Sequence, residues 1–159
     1  MPSPRIIARD RRDTLGEGPM WSAREEAVYW VDILGRRLNR LSLRDDAVTS
    51  FEMPDVIGWA IEREDALGFV AGIGRRFVRL TLDPVTIETI AAPEDDRDGN
   101  RFNDAKADAK GRIWAGSMPF TCRSISSLTT PATRTSQFSF ACRRMFRCPT
   151  WNRSKAPAA

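Results

Sequence analysis

The chain has 159 residues, enough for one domain with a hydrophobic core, and a net charge of +4 that averages two unlike parts. Residues 1–118 carry 18 basic and 21 acidic side chains, whereas residues 119–159 carry 7 basic side chains and no acidic one. Histidine is absent, which excludes a zinc site of the usual Cys/His type and any catalytic pair that needs histidine.

The first 30 residues contain no apolar run of signal-peptide length, because Arg5, Arg9, Arg11 and Arg12 interrupt them. No run elsewhere approaches the length of a transmembrane helix. All three cysteines lie after residue 118, so nothing in the acidic part suggests disulfide bonds or secretion. The sequence therefore predicts a cytoplasmic protein with no membrane partner.

Short strands dominate the acidic part of the chain. Residues 27–33 form a run of Val, Tyr, Trp and Ile, which suits a pleated and half-buried surface. Leu38, Leu41 and Leu43, with polar residues between them, continue as a partner strand. Turn dipeptides such as Asp83-Pro84 separate later strands. We predict an all-β domain without an amphipathic helix.

An internal repeat supports this prediction. Residues 35–43 align with residues 74–82 at an offset of 39 and share one glycine, three arginines and two leucines. Trp30 falls on Phe69 at the same offset, and a third copy begins at residues 110–115. Self-similarity at about 40 residues in short strands predicts the blades of a β-propeller. At about 45 residues per blade, the acidic part supplies two to three blades, whose exposed edges favour aggregation.

Residues 119–159 differ from the rest, being rich in Thr, Ser, Arg and Pro and free of glycine. Basic clusters bind phosphate electrostatically, but this segment has no recognition motif and no lysine-dense run, so we expect no nucleic-acid partner. Its composition favours disorder. We therefore predict two regions, an N-terminal propeller part at residues 1–118 and a basic tail at residues 119–159 that is disordered or the product of a frameshift.

Glu17 lies between Gly16 and Gly18, with Pro19 next. Glycines let the backbone approach a ligand closely, and a carboxylate there would offer oxygen to a hard divalent cation. From this motif alone, an exposed glutamate in a glycine-rich turn is the more economical interpretation.

Arg101 and Asn103 alternate with Phe102, so both project to one side of an extended segment. A guanidinium and a carboxamide on one surface suit hydrogen bonds to sugar hydroxyls or to a carboxylate. An ordinary surface loop explains the pattern equally well. Asp104 is expected to brace this segment rather than to bind a ligand.

The acidic run at residues 94–99 resembles the start of a calcium loop, but Ala105 occupies the twelfth position, where glutamate is needed. We predict a solvated loop there. Four tryptophans are expected in blade cores rather than in contact with sugars: Trp21, Trp30, Trp59 and Trp114.

Three segments carry a resemblance to a known family: residues 15–21, 28–33 and 100–118. In this order and spacing, over about residues 13–118, they resemble the SMP-30/gluconolactonase/LRE family, the regucalcin-like lactonases. The resemblance implies a six-bladed β-propeller that holds one divalent cation (Ca, Zn, Mn or Mg) and hydrolyses sugar lactones as a carboxylic-ester hydrolase. Of that ring, we expect about two to three N-terminal blades followed by an irregular tail.

The resemblance assigns Glu17 as a metal ligand and Arg101 and Asn103 as substrate-binding residues. The family's other metal ligands and its base lie beyond the matching region, so no catalytic residue is identified. Ala105 departs from the glycine that the family usually has. We therefore expect weak or absent cation binding and no hydrolysis by this chain. The alternative is a non-enzymatic propeller fragment, either a binding or assembly module or a pseudogene product.

Overall fold

The structure is a computed structural model that describes residues 3–120 and the strand at residues 144–147. All regular secondary-structure elements in these residues are β-strands. In this part of the chain no helix is long and apolar enough to cross a membrane. The prediction of an all-β chain is confirmed.

The first two sheets are four-stranded antiparallel meanders. Blade 1 contains β1 (Gly16–Ser22), β2 (Ala27–Asp32), β3 (Arg37–Ser42) and β4 (Val48–Glu52). Blade 2 contains β5 (Ile57–Glu62), β6 (Phe69–Ile73), β7 (Arg76–Leu82) and β8 (Val85–Ala91). Strands that follow one another in sequence are neighbours in each sheet, which is the topology of a propeller blade.

Blade 3 is a three-stranded sheet of β9 (Asn100–Ala107), β10 (Ile113–Pro119) and β11 (Arg144–Arg147), with β10 in the centre. The described residues thus form two complete blades and most of a third, in agreement with the predicted two to three. The strand β11 lies in the region that we expected to be irregular. Residues 121–143 and 148–159 of that predicted tail lie outside the described residues, so disorder or a frameshift there stays a prediction.

The blades pack face to face through two apolar layers. Between blades 1 and 2, the rings of Tyr29 and Phe69 meet edge to face with their centroids 4.9 Å apart. Between blades 2 and 3, Trp59, Phe77 and Phe102 form a cluster with centroid separations of 4.7 to 6.1 Å. Successive residues of a strand point to opposite faces of the sheet. Blade 2 carries apolar side chains on both faces, and blades 1 and 3 each cover one of them.

The repeat offset of 39 residues holds for the third strands of the blades but not for the second strands. Asn39 of β3 pairs with Trp30 of β2, and Val78 of β7 pairs with Ala71 of β6. Trp30 therefore corresponds to Ala71 and not to Phe69, so the predicted alignment is wrong by two residues. The connection between the second and third strands is two residues shorter in blade 2 than in blade 1.

The predicted third copy at residues 110–115 occupies another place in its blade. Ile113 begins β10, which is the second strand of blade 3, so the preceding Gly-Arg pair lies in the first connection of that blade. Gly74 and Gly111 both have positive φ, at 57° and 72°, a conformation that glycine adopts without strain. The short motif marks a tight turn rather than one fixed position in a blade.

Candidate functional site

The first strand of each blade contains a register shift near its beginning. The shift covers Gly18 and Pro19 in β1, Gly58 in β5 and Asn103 in β9. β1 contacts β5, and β5 contacts β9. Glu17 is the last paired residue before the shift in β1, whereas Gly58 and Asn103 are themselves the shifted residues of β5 and β9. Bulges of this kind turn a side chain out of the regular ladder and are common beside active sites.

Glu17 is the second residue of β1, and its side chain is exposed. Gly18 follows with a φ of +59°, so the backbone turns sharply just after the carboxylate. Within residues 3–120, no three side chains of the types His, Cys, Asp or Glu lie close enough together to hold a metal ion. Ca²⁺ takes about six to eight oxygen ligands. The single carboxylate of Glu17 does not fit a resident divalent cation.

Arg101 and Asn103 contact each other directly. The Nη1 atom of Arg101 donates to Oδ1 of Asn103 at 3.1 Å and to the carbonyl oxygen of Phe102 at 3.0 Å. Arg101 is 7% exposed, whereas Asn103 is half-buried. The structure thus joins two of the three predicted site residues on β9 and places Glu17 on a different sheet.

Gly58 is a residue of this region that sequence reasoning missed. A Cβ atom at residue 58 would lie 2.6 Å from the carbonyl oxygen of Phe102 and 3.4 Å from the backbone nitrogen of Asn103. Real side chains do not approach this closely, so only glycine lets β5 reach the backbone of β9 here. The glycine is visible in the sequence, but nothing local to it indicates which strand it faces.

Asp32 is a second residue that the sequence did not single out. Its fully buried carboxylate accepts hydrogen bonds from the backbone nitrogens of Thr14, Leu15 and Gly35 at 2.9 to 3.1 Å. It also pairs with Nη2 of Arg37 at 2.5 Å. Burial by itself raises the pKa of Asp32, but these donors favour the charged form and hold the pKa below its ordinary value. The carboxylate thereby fixes the chain segment that leads into β1 and Glu17.

Asp108 braces the first turn of blade 3 in a similar way. It accepts hydrogen bonds from the backbone nitrogens of Lys110 and Arg112, from Nε of Arg112 and from the indole nitrogen of Trp114. Desolvation opposes the charge, but these donors outweigh it and lower the pKa of Asp108 well below its ordinary value. The carboxylate shapes the turn between β9 and β10 and is not a member of the candidate site.

Two predictions about individual side chains are wrong. Residues 95–99 of the predicted solvated loop are exposed, but Glu94 is 2% exposed and accepts a hydrogen bond from Nδ2 of Asn100 at 3.2 Å. Trp21 is 52% exposed rather than part of a blade core, whereas Trp59 is buried as predicted and Trp30 is half-buried.

Asp104 was expected to brace this segment, and its Oδ1 accepts the backbone N–H of the adjacent Ala105 at 2.7 Å. Ala105 lies in β9 opposite Ala115 and is not among the residues with positive φ. The alanine at this position therefore creates no backbone strain.

A polar cavity of about 260 Å³ lies on the face of blade 1 that points away from blade 2. Its lining includes Arg9, Asp13, Arg37, Asn39 and Ser50 but not Glu17. Arg9 forms an ion pair with Asp13 at 3.0 Å. Arg37 forms an ion pair with Asp32, which does not line the cavity. Arg9 and Arg37 are thus both paired with carboxylates, and the cavity is separate from the first-strand bulges.

Comparison with known proteins gives one family. The family model described as "SMP-30/Gluconolactonase/LRE-like region" matches residues 15–136. The match begins at Leu15, two residues before Glu17, and includes Arg101 and Asn103. It also runs past residue 118, where the resemblance was expected to end.

Individual relatives agree with that match. The chain is 38% identical over 104 residues to 6-deoxy-6-sulfogluconolactonase of Pseudomonas putida, an alignment that covers 65% of this chain and 35% of that protein. It is similar in structure to a luciferin-regenerating enzyme, with a TM-score of 0.64 and 30% identity over 68% of this chain and 37% of the other.

A further structure shares the fold. Regucalcin of Agrobacterium tumefaciens strain C58, described as a calcium-binding protein, has a TM-score of 0.64 and 24% identity. That alignment covers 70% of this chain and 37% of the regucalcin. In all three comparisons, the matched part spans a little over one third of the relative's length.

Proposed function

Because the chain belongs to the SMP-30/gluconolactonase/LRE-like family, we propose that it forms the substrate-contacting part of a sugar-lactone hydrolase. One observation carries this proposal: the first strands β1, β5 and β9 contact one another in turn and each has a bulge near its beginning, with Glu17 directly before the bulge of β1 and Asn103 at the bulge of β9. A carboxylate and a carboxamide would then border one space, beside the place where Gly58 lets β5 approach β9 closely. The proposal extends to this chain the activity that the name of the Pseudomonas relative states.

The chemistry of the donors supports a sugar or a lactone as ligand. Arg101 carries only N–H donors, and the carboxamide of Asn103 has both donors and an acceptor. Such groups suit the hydroxyl, carbonyl and ring oxygens of a cyclic sugar ester. They lie on a rigid strand that is fixed by buried contacts to blade 2, which favours a defined ligand orientation.

The same residues do not make a complete hydrolytic centre. A divalent cation would polarise the lactone carbonyl in a metal-dependent esterase. In residues 3–120, however, Glu17 lacks the companion carboxylates that would hold such an ion. We therefore propose that this chain contributes Glu17 and the Arg101–Asn103 pair and that further oxygen ligands must come from another polypeptide segment.

Complementation tests the proposal. The chain is coexpressed with the segment of the Pseudomonas lactonase that it does not match, and hydrolysis of D-glucono-1,5-lactone is followed with Ca²⁺, Zn²⁺, Mn²⁺ or Mg²⁺ added in turn. We expect no metal-stimulated hydrolysis by the chain alone and measurable hydrolysis by the pair. Glu17→Gln should abolish that hydrolysis, whereas the exposed control Glu88→Gln should retain it.

Three other results are informative. Hydrolysis by the unaccompanied chain would show that it holds a complete site. Equal activity of the Glu17→Gln and wild-type pairs would remove Glu17 from the metal site. A pair that assembles but never hydrolyses a lactone would favour the alternative, a non-enzymatic binding or assembly module.

A further inference from the structure

Equivalent positions of the three blades differ in burial at one end of the described chain. The second strands β2, β6 and β10 place alternate residues on the two faces of their blades. On the face toward the preceding blade, Phe69 and Ile113 are buried, whereas the corresponding Val28 of blade 1 is only half-buried. Within the described residues, no blade lies against this face of blade 1, which we call its open face.

The opposite faces show the reverse order. On the face toward the following blade, Tyr29 and Val70 are buried, whereas the corresponding Trp114 of blade 3 is half-buried. The register supports this correspondence, because the shift against the first strand comes directly after Gly72 in β6 and after Gly116 in β10. Gly72 is buried and Gly116 is half-buried. Among the described residues, blade 3 therefore has an open face as well.

The open face of blade 1 carries an apolar row. Trp21 and Leu41 both pair with Val28 across the sheet, so the three side chains lie on one face. Trp21 is 52% exposed, and the other two residues are half-buried. The N-terminal segment covers a different part of this face, where the guanidinium of Arg9 lies 5.1 Å from the ring centroid of Trp30. The apolar row remains accessible to another surface.

The open face of blade 3 is also partly apolar. Trp114, Gly116 and Met118 alternate along β10, are half-buried and point away from blade 2, which Ile113 and its neighbours contact. Inside the chain, each face that points to the following blade packs on the face of that blade. The surface that repeats this packing on the open face of blade 1 is therefore a face equivalent to the open face of blade 3.

We propose that two copies of this chain associate head to tail, with the open face of blade 3 in each copy packed on the open face of blade 1 in the other. Closed propellers contain about four to eight blades. The described residues of one copy supply three sheets, too few to close, whereas two copies supply twice that number, which lies within this range. Contacts between unlike surfaces otherwise build open filaments. This inference concerns assembly and does not depend on the proposed hydrolysis.

Sedimentation velocity of the full chain tests the proposal. Reducing buffer prevents disulfide bonds between copies through the three cysteines. We expect one species of twice 17.9 kDa. Trp21→Glu and Trp114→Lys should each raise the dissociation constant of the dimer at least about thirtyfold, the effect of losing one central interface residue. The control is Leu67→Glu, because Leu67 is 69% exposed in the connection between β5 and β6 and should leave the dimer intact.

Mixing the two variants tests the head-to-tail arrangement. In a pair of Trp21→Glu with Trp114→Lys, one contact is wild type on both sides and the other brings the new glutamate toward the new lysine. The dimer should therefore return on mixing. If circular dichroism shows that Trp114→Lys does not fold, Met118→Lys replaces it, because Met118 lies on the same face.

Four results would overturn the proposal. A chain that stays monomeric at all concentrations does so, and so does a species that grows continuously with concentration, since the ring would not close. A dimer that only Trp21→Glu disrupts would pack two copies of blade 1 against each other. Equal disruption by Leu67→Glu would show non-specific association of exposed apolar side chains.

Discussion

Gly58 of β5 lies against the backbone carbonyl of Phe102 in β9, so closely that a Cβ atom at residue 58 would be 2.6 Å from that oxygen. Gly58 is the bulge residue of β5, and Phe102 directly precedes the bulge residue of β9. Their contact brings the first strands together at the point where Arg101 and Asn103 emerge. The separation between the blades at the candidate site is therefore set by the absence of one side chain.

Replacing Gly58 by alanine should force β5 and β9 apart. We expect a loss of about 2 kcal/mol in the free energy of unfolding, in the range found for overpacked interiors. Urea denaturation measures that loss. Hydrogen exchange locates it: the amide of Phe102, which donates to Gly74 at 3.0 Å, should exchange faster, while the amide of Ile33 in blade 1 serves as the control. Equal acceleration at both amides would indicate global rather than local disruption.

Asp32→Asn should destabilise the chain strongly. The substitution removes the charge that neutralises Arg37, whose side chain is only 11% exposed, and disturbs the carboxylate that holds the segment before β1. Loss of one member of a buried ion pair costs about 3–5 kcal/mol. The matched control is Asp65→Asn, because Asp65 pairs with Arg63 while 68% exposed and should change stability by less than about 1 kcal/mol. Similar urea midpoints for the two variants would contradict this assignment.

The contribution of Asp32 should vanish in acid. Its folded-state pKa lies below the ordinary value of 3.8, mainly because backbone donors overcome the desolvation of the charge. Stability from this group is therefore fully present above pH 3.8 and is lost as the pH falls through the folded-state pKa. Urea unfolding of wild type and Asp32→Asn from pH 6 to pH 2.5 should show a gap that narrows only on acidification. A constant gap would mean that Asp32 does not titrate as expected.

Tyr29 offers an optical test at high pH because it is the only tyrosine in the chain. Burial raises its pKa above the ordinary value of 10, and the hydrogen bond from its hydroxyl to Glu25 at 2.6 Å raises it further. The folded chain should therefore show no tyrosinate absorbance at pH 10 to 11. Stability from this group is present below pH 10 and is lost at higher pH, so absorbance should appear together with unfolding. Absorbance that rises near pH 10 in folded protein would refute the burial of this hydroxyl.

Calcium should bind weakly if at all to the isolated chain. Glu17 is the one carboxylate predicted as a ligand, and no group of three metal-binding side chains occurs in residues 3–120. Even sites built from several oxygen ligands can have dissociation constants of about 0.1 to 1 mM. Calorimetric titration of the wild type and Glu17→Gln with Ca²⁺ should therefore give indistinguishable heats below about 1 mM. Saturable binding that Glu17→Gln removes would reveal ligands outside the described residues.

The blades could be predicted from sequence because each strand carries its own signal. β-branched and aromatic runs separated by turn residues gave the all-β class, and the match between Gly35 and Gly74 gave the repeat. The residue-by-residue correspondence between blades could not be predicted in this way. Because the connections differ in length, Trp30 corresponds to Ala71 and not to Phe69. Because a Gly-Arg pair recurs in different turns, the predicted third copy was aligned with the wrong strand.

The candidate site, too, was predicted in part from the sequence. Alternation along β9 predicted that Arg101 and Asn103 share one side, and their hydrogen bond agrees with it. The roles of Gly58 and Asp32 remained hidden, since each depends on a partner in another segment of the chain. The burial of Glu94 was not predicted either. An acidic run predicts contact with solvent, and the hydrogen bond from Asn100 that accompanies the burial is seen only in the folded structure.

By itself, the sequence determined the strand content, the propeller-type repeat, the family and the two residues that share one side of β9, because those depend on side-chain type and spacing along the chain. Only the tertiary structure decided the register of the blades, the glycine contact between β5 and β9 and the orientation of the Asn103 amide. These features depend on distances between atoms that are remote in sequence, and chain periodicity carries no information about such distances.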